Sequence, residues 1–172
     1  MSRILLADDS PHAQRMGERI LREEGYEVVS VTDGETALLR LPDVDPDLVL
    51  LDVFLPLKSG LDLCRFIKNH PRHRHARVVL TAGLLEPFDE AEAMGAGCDA
   101  ILRKPFEASL VLETIQPLIA GAQAAREAVA AAAPPLEIDA ERVRAAVTVA
   151  LDAAMPAMID EITERVLIAL KD

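Results

Sequence analysis

The stretch DLVLLD, residues 47–52, is an apolar run that ends on a carboxylate. Four consecutive apolar residues without polar alternation are typical of a strand buried on both faces, as in the centre of a parallel sheet. Further apolar runs occur at 3–7, 27–31, 77–81 and 99–103, with helical patterns between them. The sequence therefore predicts an α/β fold with a doubly wound, five-stranded parallel sheet.

The segments between the predicted strands have helical patterns that end at glycine or proline. Gly25 ends the first, and we expect Pro42 to end the second because proline does not continue a helix. Right-handed crossovers place such helices on both faces of the sheet. The predicted helices cover 11–24, 35–41, 61–69, 87–94 and 107–119.

Reactive or cationic side chains stand at the ends of four predicted strands. Asp8 and Asp9 follow the first strand, Asp52 ends the third, Thr81 ends the fourth and Lys104 follows the fifth. Ligands of open α/β sheets bind beyond the carboxyl ends of the strands, so these groups should converge. Converging carboxylates repel one another and raise the pKa of at least one member, and a hard cation such as Mg²⁺ relieves that cost. The sequence predicts a Mg²⁺ site beside a hydroxyl and an ammonium.

Asp52 is the candidate nucleophile of this predicted pocket because it ends the central strand. With a cation and Lys104 neutralising an incoming phosphoryl group, one carboxylate can attack phosphorus and form an aspartyl-phosphate. A single Asp or Lys at a strand end usually only begins a solvated loop. The combination of five such residues in this order is what favours a functional interpretation.

Residues 1 to about 120 resemble the receiver domain of bacterial two-component response regulators. The resemblance covers about two-thirds of the chain and implies a flavodoxin-like sheet with strand order 2-1-3-4-5, followed here by a C-terminal helical extension. Its motifs, each weak alone, are specific in their joint order and spacing: ILLADDS at 4–10, Asp52 with Pro56 and Gly60 after it, Thr81-Ala82, GAGCD at 95–99 and KPF at 104–106.

The resemblance implies a phosphorylation site that uses Mg²⁺. Asp52 would accept a phosphoryl group from the phosphohistidine of a sensor histidine kinase. Asp9 and Asp52 would ligate Mg²⁺ directly, together with the backbone carbonyl of Phe54, and Asp8 would help through water. Lys104 would contact the phosphoryl group, and the peptide bond between Lys104 and Pro105 would be cis, an isomer realistic only before proline. Thr81 would move toward the phosphate as the switch.

Two positions depart from the usual pattern of this family. Many receivers carry Tyr or Phe three residues before the lysine, where this chain has Ile101. Many carry a polar residue two positions after the phosphoacceptor, where this chain has Phe54. The first departure predicts an altered switch readout. The second predicts a long-lived phosphorylated state, because a bulky apolar group shields the acyl phosphate from water.

The formal net charge of −11 argues against a protein that binds nucleic acid or an anionic membrane. The one locally basic segment is the Arg- and His-rich stretch 65–77. Its histidine spacing fits no closed zinc pattern, and we interpret it as a solvated loop. No run of eighteen apolar residues occurs, and the N-terminus does not fit a signal peptide. Cys64 and Cys98 suit reduced thiols, so we expect a cytoplasmic protein.

The composition changes after Ile119. An alanine-rich stretch can extend the preceding helix until Pro134-Pro135, and a second helical pattern follows with an apolar residue every three or four positions, interrupted at Pro156. A helix with such a stripe must bury it, either on its own receiver or, as we favour, through self-association or an unknown protein target. The predicted units are a receiver at 1–120, an Ala/Pro-rich linker at 121–135 and an amphipathic helical tail at 136–172.

Two other classes of protein fit the sequence less well. A phosphohydrolase with an aspartate nucleophile is the alternative function, but such enzymes usually carry a second acid two residues after the nucleophile, where Phe54 stands. A transcription factor is disfavoured because residues 136–172 contain four basic and eight acidic side chains and leave little room for a basic helix-turn-helix. We therefore predict a signalling protein rather than an enzyme.

Overall fold

The chain folds into a five-stranded parallel sheet with helices on both faces. The computed structural model describes residues 2–132 together with 144, 147 and 148. The strands are β1 Arg3–Ala7, β2 Glu27–Val31, β3 Leu48–Asp52, β4 Arg77–Gly83 and β5 Ala100–Lys104. The helices are α1 Pro11–Glu23, α2 Gly34–Val44, α3 Gly60–Asn69, α4 Glu90–Gly95 and α5 Ala108–Ala132.

The sheet has the strand order β2-β1-β3-β4-β5, and every neighbouring pair is parallel. The predicted doubly wound, flavodoxin-like architecture with a C-terminal helical extension is thus confirmed. All five residues of β3 are buried, as the apolar run at 47–52 indicated. The carboxyl ends of β1, β3, β4 and β5 lie along one edge of the sheet, so the residues that follow them are brought together.

The two faces of the sheet carry separate hydrophobic cores. Alternate side chains of each strand point to opposite faces, so successive residues of β3 enter different cores. Burial of each large aliphatic side chain stabilises the fold by about 1.5–3 kcal/mol. One core includes Leu5, Val49, Leu51, Val78 and Leu80 with Leu41, Leu63 and Ile67; the other includes Ile4, Leu6, Leu48, Leu50 and Val79 with Leu21, Ile115 and Ile119.

Two predicted helix bounds were wrong. Helix α2 continues through Pro42 to Val44, because Leu41 and Val44 are buried on the core side and this packing outweighs the hydrogen bond that proline removes. Helix α4 begins at Glu90 rather than at 87, because the Asp89 carboxylate accepts hydrogen bonds from the N–H groups of Ala91 and Glu92 and so caps the helix there. Residues 84–88 form a loop instead.

Helix α5 is continuous from Ala108 to Ala132, so the alanine-rich stretch does extend it. Its last turns contact the receiver: Ala122 is buried, and Arg126 reaches carboxylate oxygens of Asp45 at 3.1 Å and Asp47 at 3.3 Å. The chain divides into two compact units, Met1–Ala132 and Ala133–Asp172. The predicted boundaries at 120 and 135 stay predictions.

Most of the predicted tail lies outside the described residues, including its apolar stripe, the Pro134-Pro135 break and the interruption at Pro156. Arg144, Val147 and Thr148, the three residues described there, are helical. Within the described part of the chain, the helices are too short or too polar to cross a membrane. The cytoplasmic location stays a prediction.

Candidate functional site

Three carboxylates meet at the carboxyl edge of the sheet. One oxygen from each of Asp8, Asp9 and Asp52 lies within 4.8 Å of the others. Asp8 and Asp52 are buried, whereas Asp9 is exposed. Their convergence follows from the sheet order, because β1 and β3 are neighbours although more than forty residues separate them in sequence.

Local backbone contacts fix the two buried carboxylates. The Phe54 N–H donates to Oδ1 of Asp52 at 2.9 Å, and the Ser10 N–H donates to Oδ1 of Asp8 at 2.9 Å. Gly60 at the start of α3 packs against the backbone of Asp52, where a Cβ atom would lie 2.2 Å from the carbonyl oxygen. Only glycine fits there, which explains why a glycine stands eight residues after Asp52.

Lys104 brings a positive charge into this acidic cluster. Its ammonium donates to Oδ2 of Asp52 and lies 2.6 Å from Oδ2 of Asp8. Burial lowers the pKa of Lys104, but the hydrogen bonds and charges of the two carboxylates outweigh it and raise that pKa. Burial raises the pKa of Asp8, which Lys104 only partly offsets. The predicted cis bond between Lys104 and Pro105 is present.

Thr81 is buried on β4 and is the register partner of Asp52 on β3. Its hydroxyl therefore belongs to the strand beside the candidate nucleophile. Ile101 is partly buried and packs against the core that contains Leu80. Phe54, two residues after Asp52, is 45% exposed. The structure thus brings the predicted site residues to one edge of the sheet.

The donor atoms of the cluster suit a hard divalent cation. The three carboxylates offer only oxygen ligands, which is the set that Mg²⁺ prefers. The histidines at 70 and 73 do not converge on a point; their rings stack with centroids 4.7 Å apart. Within the part of the chain that the structure describes, the aspartate trio is the group of side chains able to hold a metal.

Sequence reasoning missed three exposed apolar side chains in the loops that follow β3 and β4. Leu57 adopts a left-handed backbone with φ of 67°, and Leu84 and Leu85 are 71% and 96% exposed. A signal was available, because these leucines stand in turn contexts beside Pro56 and Pro87, where core residues are not expected.

Comparisons with known proteins agree on one family. The family model of the response regulator receiver domain matches residues 4–116. PilG of Pseudomonas aeruginosa is 29% identical over 114 residues, which cover 66% of this chain and 84% of PilG. The response regulator PleD of Caulobacter vibrioides is 35% identical over 117 residues, which cover 68% of this chain but 26% of PleD.

Solved structures show the same likeness. The receiver domain of the sensor histidine kinase PA1611 from Pseudomonas aeruginosa superposes with a TM-score of 0.64 at 28% identity, over 69% of this chain and 98% of that domain. That structure has a magnesium ion coordinated in its active-site cleft.

Proposed function

This chain belongs to the response regulator receiver domain family, and from that membership we propose that it accepts a phosphoryl group on Asp52 and signals through protein–protein contacts. The proposed donor is the phosphohistidine of a sensor histidine kinase. Asp8, Asp9 and Asp52, with the carbonyl of Phe54, are the proposed Mg²⁺ ligands. The protein acts on itself in this proposal, so it is a switch rather than a turnover enzyme.

The observation that carries the proposal is the position of Lys104 among the carboxylates. A half-buried ammonium that bonds to Asp52 and lies 2.6 Å from Asp8 supports the proposal, because its positive charge would stabilise an arriving phosphoryl oxygen. Asp52 is buried and hydrogen-bonded at only one of its two oxygens by the backbone, through the Phe54 N–H. This arrangement orients the carboxylate and supplies charge stabilisation beside it.

The transfer step needs no other nucleophile. Oδ2 of Asp52 attacks phosphorus, the phosphorus–nitrogen bond of the phosphohistidine breaks, and its electron pair returns to the imidazole ring of the donor. Lys104 then shifts its hydrogen bond from Oδ2 to a phosphoryl oxygen. Thr81, the register partner of Asp52 on the neighbouring strand, would donate its hydroxyl hydrogen to another phosphoryl oxygen.

A bound Mg²⁺ would reduce the repulsion among the three carboxylates and draw charge from the phosphoryl oxygens. Asp9 is the exposed member of the trio and so the one most accessible to an entering ion. Asp8, which is held by the Ser10 N–H and by Lys104, would help to hold the ion.

Phosphorylation by acetyl phosphate in MgCl₂ tests the proposal. Intact-mass spectrometry should show one added phosphoryl group on the parent and none on Asp52→Asn. Asp43→Asn, an exposed carboxylate on α2, is the matched control and should be phosphorylated like the parent. Phosphorylation of Asp52→Asn would contradict the assignment, and release of more than one equivalent of product from a generic phosphate ester would favour the phosphohydrolase alternative.

The output is proposed to pass through the C-terminal tail. The tail sequence carries a stripe of apolar residues and a net negative charge, which suits a protein partner or self-association rather than nucleic acid. The molar mass in solution distinguishes self-association from binding of a different protein. It is measured with and without beryllofluoride, for the full chain and for a truncation after Ala133. A mass that stays monomeric throughout rules out self-association and leaves a different protein as the target.

A further inference from the structure

Three histidines lie in the loop that joins α3 to β4, residues 70–76. His73 is 3% exposed, although its neighbours Arg72 and Arg74 are exposed. Its ring stacks on that of His70, with the ring centroids 4.7 Å apart and an angle of 26° between the planes. Within the described residues, Nδ1 of His73 is buried and has no hydrogen-bond partner. A proton on this nitrogen would bring a charge that no acceptor satisfies, so the closed loop holds His73 as the neutral ring.

The charges that face His73 also oppose its protonation. Burial lowers the pKa of His73, and positive charge on His70, Arg72 and His75 lowers it further. Asp45, at the end of α2, acts in the opposite direction. The stretch 65–77 contains no aspartate or glutamate, so the loop itself offers no counter-charge for a protonated His73.

The backbone groups of His70 and His73 hold the loop closed. The N–H groups of His73 and Arg74 both donate to the carbonyl of His70 at 3.0 Å, and the Ala76 N–H donates to the carbonyl of His73 at 2.9 Å. The ammonium of Lys68 on α3 donates to the carbonyl of Ala76 at 3.1 Å. These contacts are local, so the loop can open when His73 moves into water while α3 and β4 stay folded.

His75 connects this loop to the end of α5. Its Nε2 lies 2.9 Å from a guanidinium nitrogen of Arg126 and 3.6 Å from Oδ1 of Asp45. Because a guanidinium only donates, Nε2 of His75 is the accepting, unprotonated nitrogen in this contact. The same guanidinium lies 3.1 Å from the carboxylate of Asp45 and 3.3 Å from that of Asp47. An opened loop therefore removes one of the groups that hold the last turns of α5.

We propose that the α3–β4 loop makes the packing of α5 sensitive to acid: His73 takes up a proton from solvent, the loop opens, His75 leaves Arg126, and residues 121–132 lose part of their contact with the receiver. This input is independent of Asp52. The loop leads into the amino end of β4, whereas the carboxylate pocket lies at the carboxyl edge of the sheet. The C-terminal segment follows directly after α5, so acidity reaches the proposed output element by a route that needs no phosphorylation.

Acid should open the loop rather than close it. With the loop open, His73 titrates near its ordinary value of 6.5, whereas in the closed loop its pKa is lower. The closed loop is therefore fully favoured above pH 6.5 and loses this stability as the pH falls through the lowered value. Between the two values, each pH unit multiplies the ratio of open to closed loop by up to about ten.

Hydrogen exchange of the full chain, followed by mass spectrometry at pH 7.5 and 5.5, tests the proposal. Exchange is expressed as protection relative to the unfolded chain at the same pH. We expect the protection of residues 70–76 and 121–132 to fall roughly three- to tenfold at pH 5.5, while that of β3 stays constant. In His73→Phe, whose ring can stack but cannot take a proton, both segments should keep their protection. His12→Gln is the matched control, since this histidine is exposed on α1, and it should behave like the parent.

A second variant tests the connection to α5. In His75→Ala, residues 70–76 should still lose protection in acid, but residues 121–132 should no longer respond to pH, because their contact with the loop is already absent. A response of residues 121–132 in this variant would overturn the proposal, also where the ring of His73→Phe does not fit. An acid response of His73→Phe equal to that of the parent would show that another group takes the proton, and an equal loss in β3 would show general unfolding. Either result overturns the proposal.

Discussion

Lys104 at the end of β5 lies 2.6 Å from Asp8 at the end of β1, although strands β3 and β4 separate these two strands in the sheet. The lysine side chain therefore reaches across the carboxyl ends of β4 and β3 and links β5 to β1. The same ammonium bonds to Asp52. A charged group that enters the pocket therefore competes with the ion pairs that Lys104 makes with Asp8 and Asp52. The stability of the protein and its readiness for phosphorylation are thus linked through the same three groups.

Asp8→Asn should raise the stability of the metal-free protein at neutral pH. Burial raises the pKa of Asp8, so the folded state favours its protonated form, and ionisation costs stability as the pH rises from the unfolded value of 3.8 through the raised folded value. A neutral amide avoids that cost. The urea midpoints of the parent and of Asp8→Asn, measured from pH 3 to 8, should therefore differ above this pH range and agree below it.

Two further measurements sharpen this prediction. MgCl₂ should narrow the difference at neutral pH, because the ion stabilises the parent more than the variant. Asp43→Asn should follow the parent at every pH, since this carboxylate is exposed. A lower midpoint of Asp8→Asn at neutral pH would show that attraction to Lys104 outweighs burial.

Gly60→Ala should both destabilise the fold and impair phosphorylation. Its Cβ atom would lie 2.2 Å from the carbonyl oxygen of Asp52, so the start of α3 or the end of β3 must move. We expect a loss of about 2–4 kcal/mol in the free energy of unfolding. Gly95→Ala is the control, because an added Cβ there meets nothing within 4 Å, and its effect should stay within about 0.5 kcal/mol. Denaturant unfolding and the rate of labelling by acetyl phosphate measure the two effects.

The parallel sheet, its central strand and the pocket could be predicted from patterns that tertiary contacts reinforce, whereas the strand order followed only from the resemblance to receiver domains. The apolar run at 47–52 indicated a central strand, and its five residues are all buried. The glycine after Asp52 was recognised from the motif, and its close packing on the Asp52 carbonyl gives the physical reason. Convergence of Asp8, Asp9 and Asp52 followed from parallel strands with a shared edge.

Features that depend on a balance between competing local interactions could not be predicted from the sequence. Proline at 42 reads as a helix end, yet buried Leu41 and Val44 carry α2 past it. Asp89 with Glu92 three residues later is a signature of a helix N-terminus, but Pro87 equally suits the first turn of a helix, so the sequence left the start of α4 open. Leu57 in a left-handed turn contradicts its own conformational preference, so only the fold could reveal it.

Arg126→Met should show that the end of α5 is part of the receiver. The guanidinium donates to the carbonyl of Asp45 at 2.8 Å and lies 3.3 Å from the buried carboxylate of Asp47. Its removal leaves Asp47 with fewer partners, and we expect a loss of about 1–3 kcal/mol. Arg19→Met, which removes an exposed pair with Glu23, should cost at most about 0.5 kcal/mol. Equal, small losses for both variants in urea unfolding would mean that residues 121–132 behave as a linker.

Phe54→Asn should shorten the lifetime of the phosphorylated protein without slowing its formation. The ring is 45% exposed beside Asp52, while the contact that orients this carboxylate comes from the backbone N–H of Phe54, which the substitution keeps. We expect decay roughly three- to tenfold faster. Phe66→Asn is the matched control, since that ring is 41% exposed on α3. Equal decay of Phe54→Asn and the parent would contradict shielding by the ring and would show that the lifetime of the phosphorylated state is set by the charged groups beside Asp52.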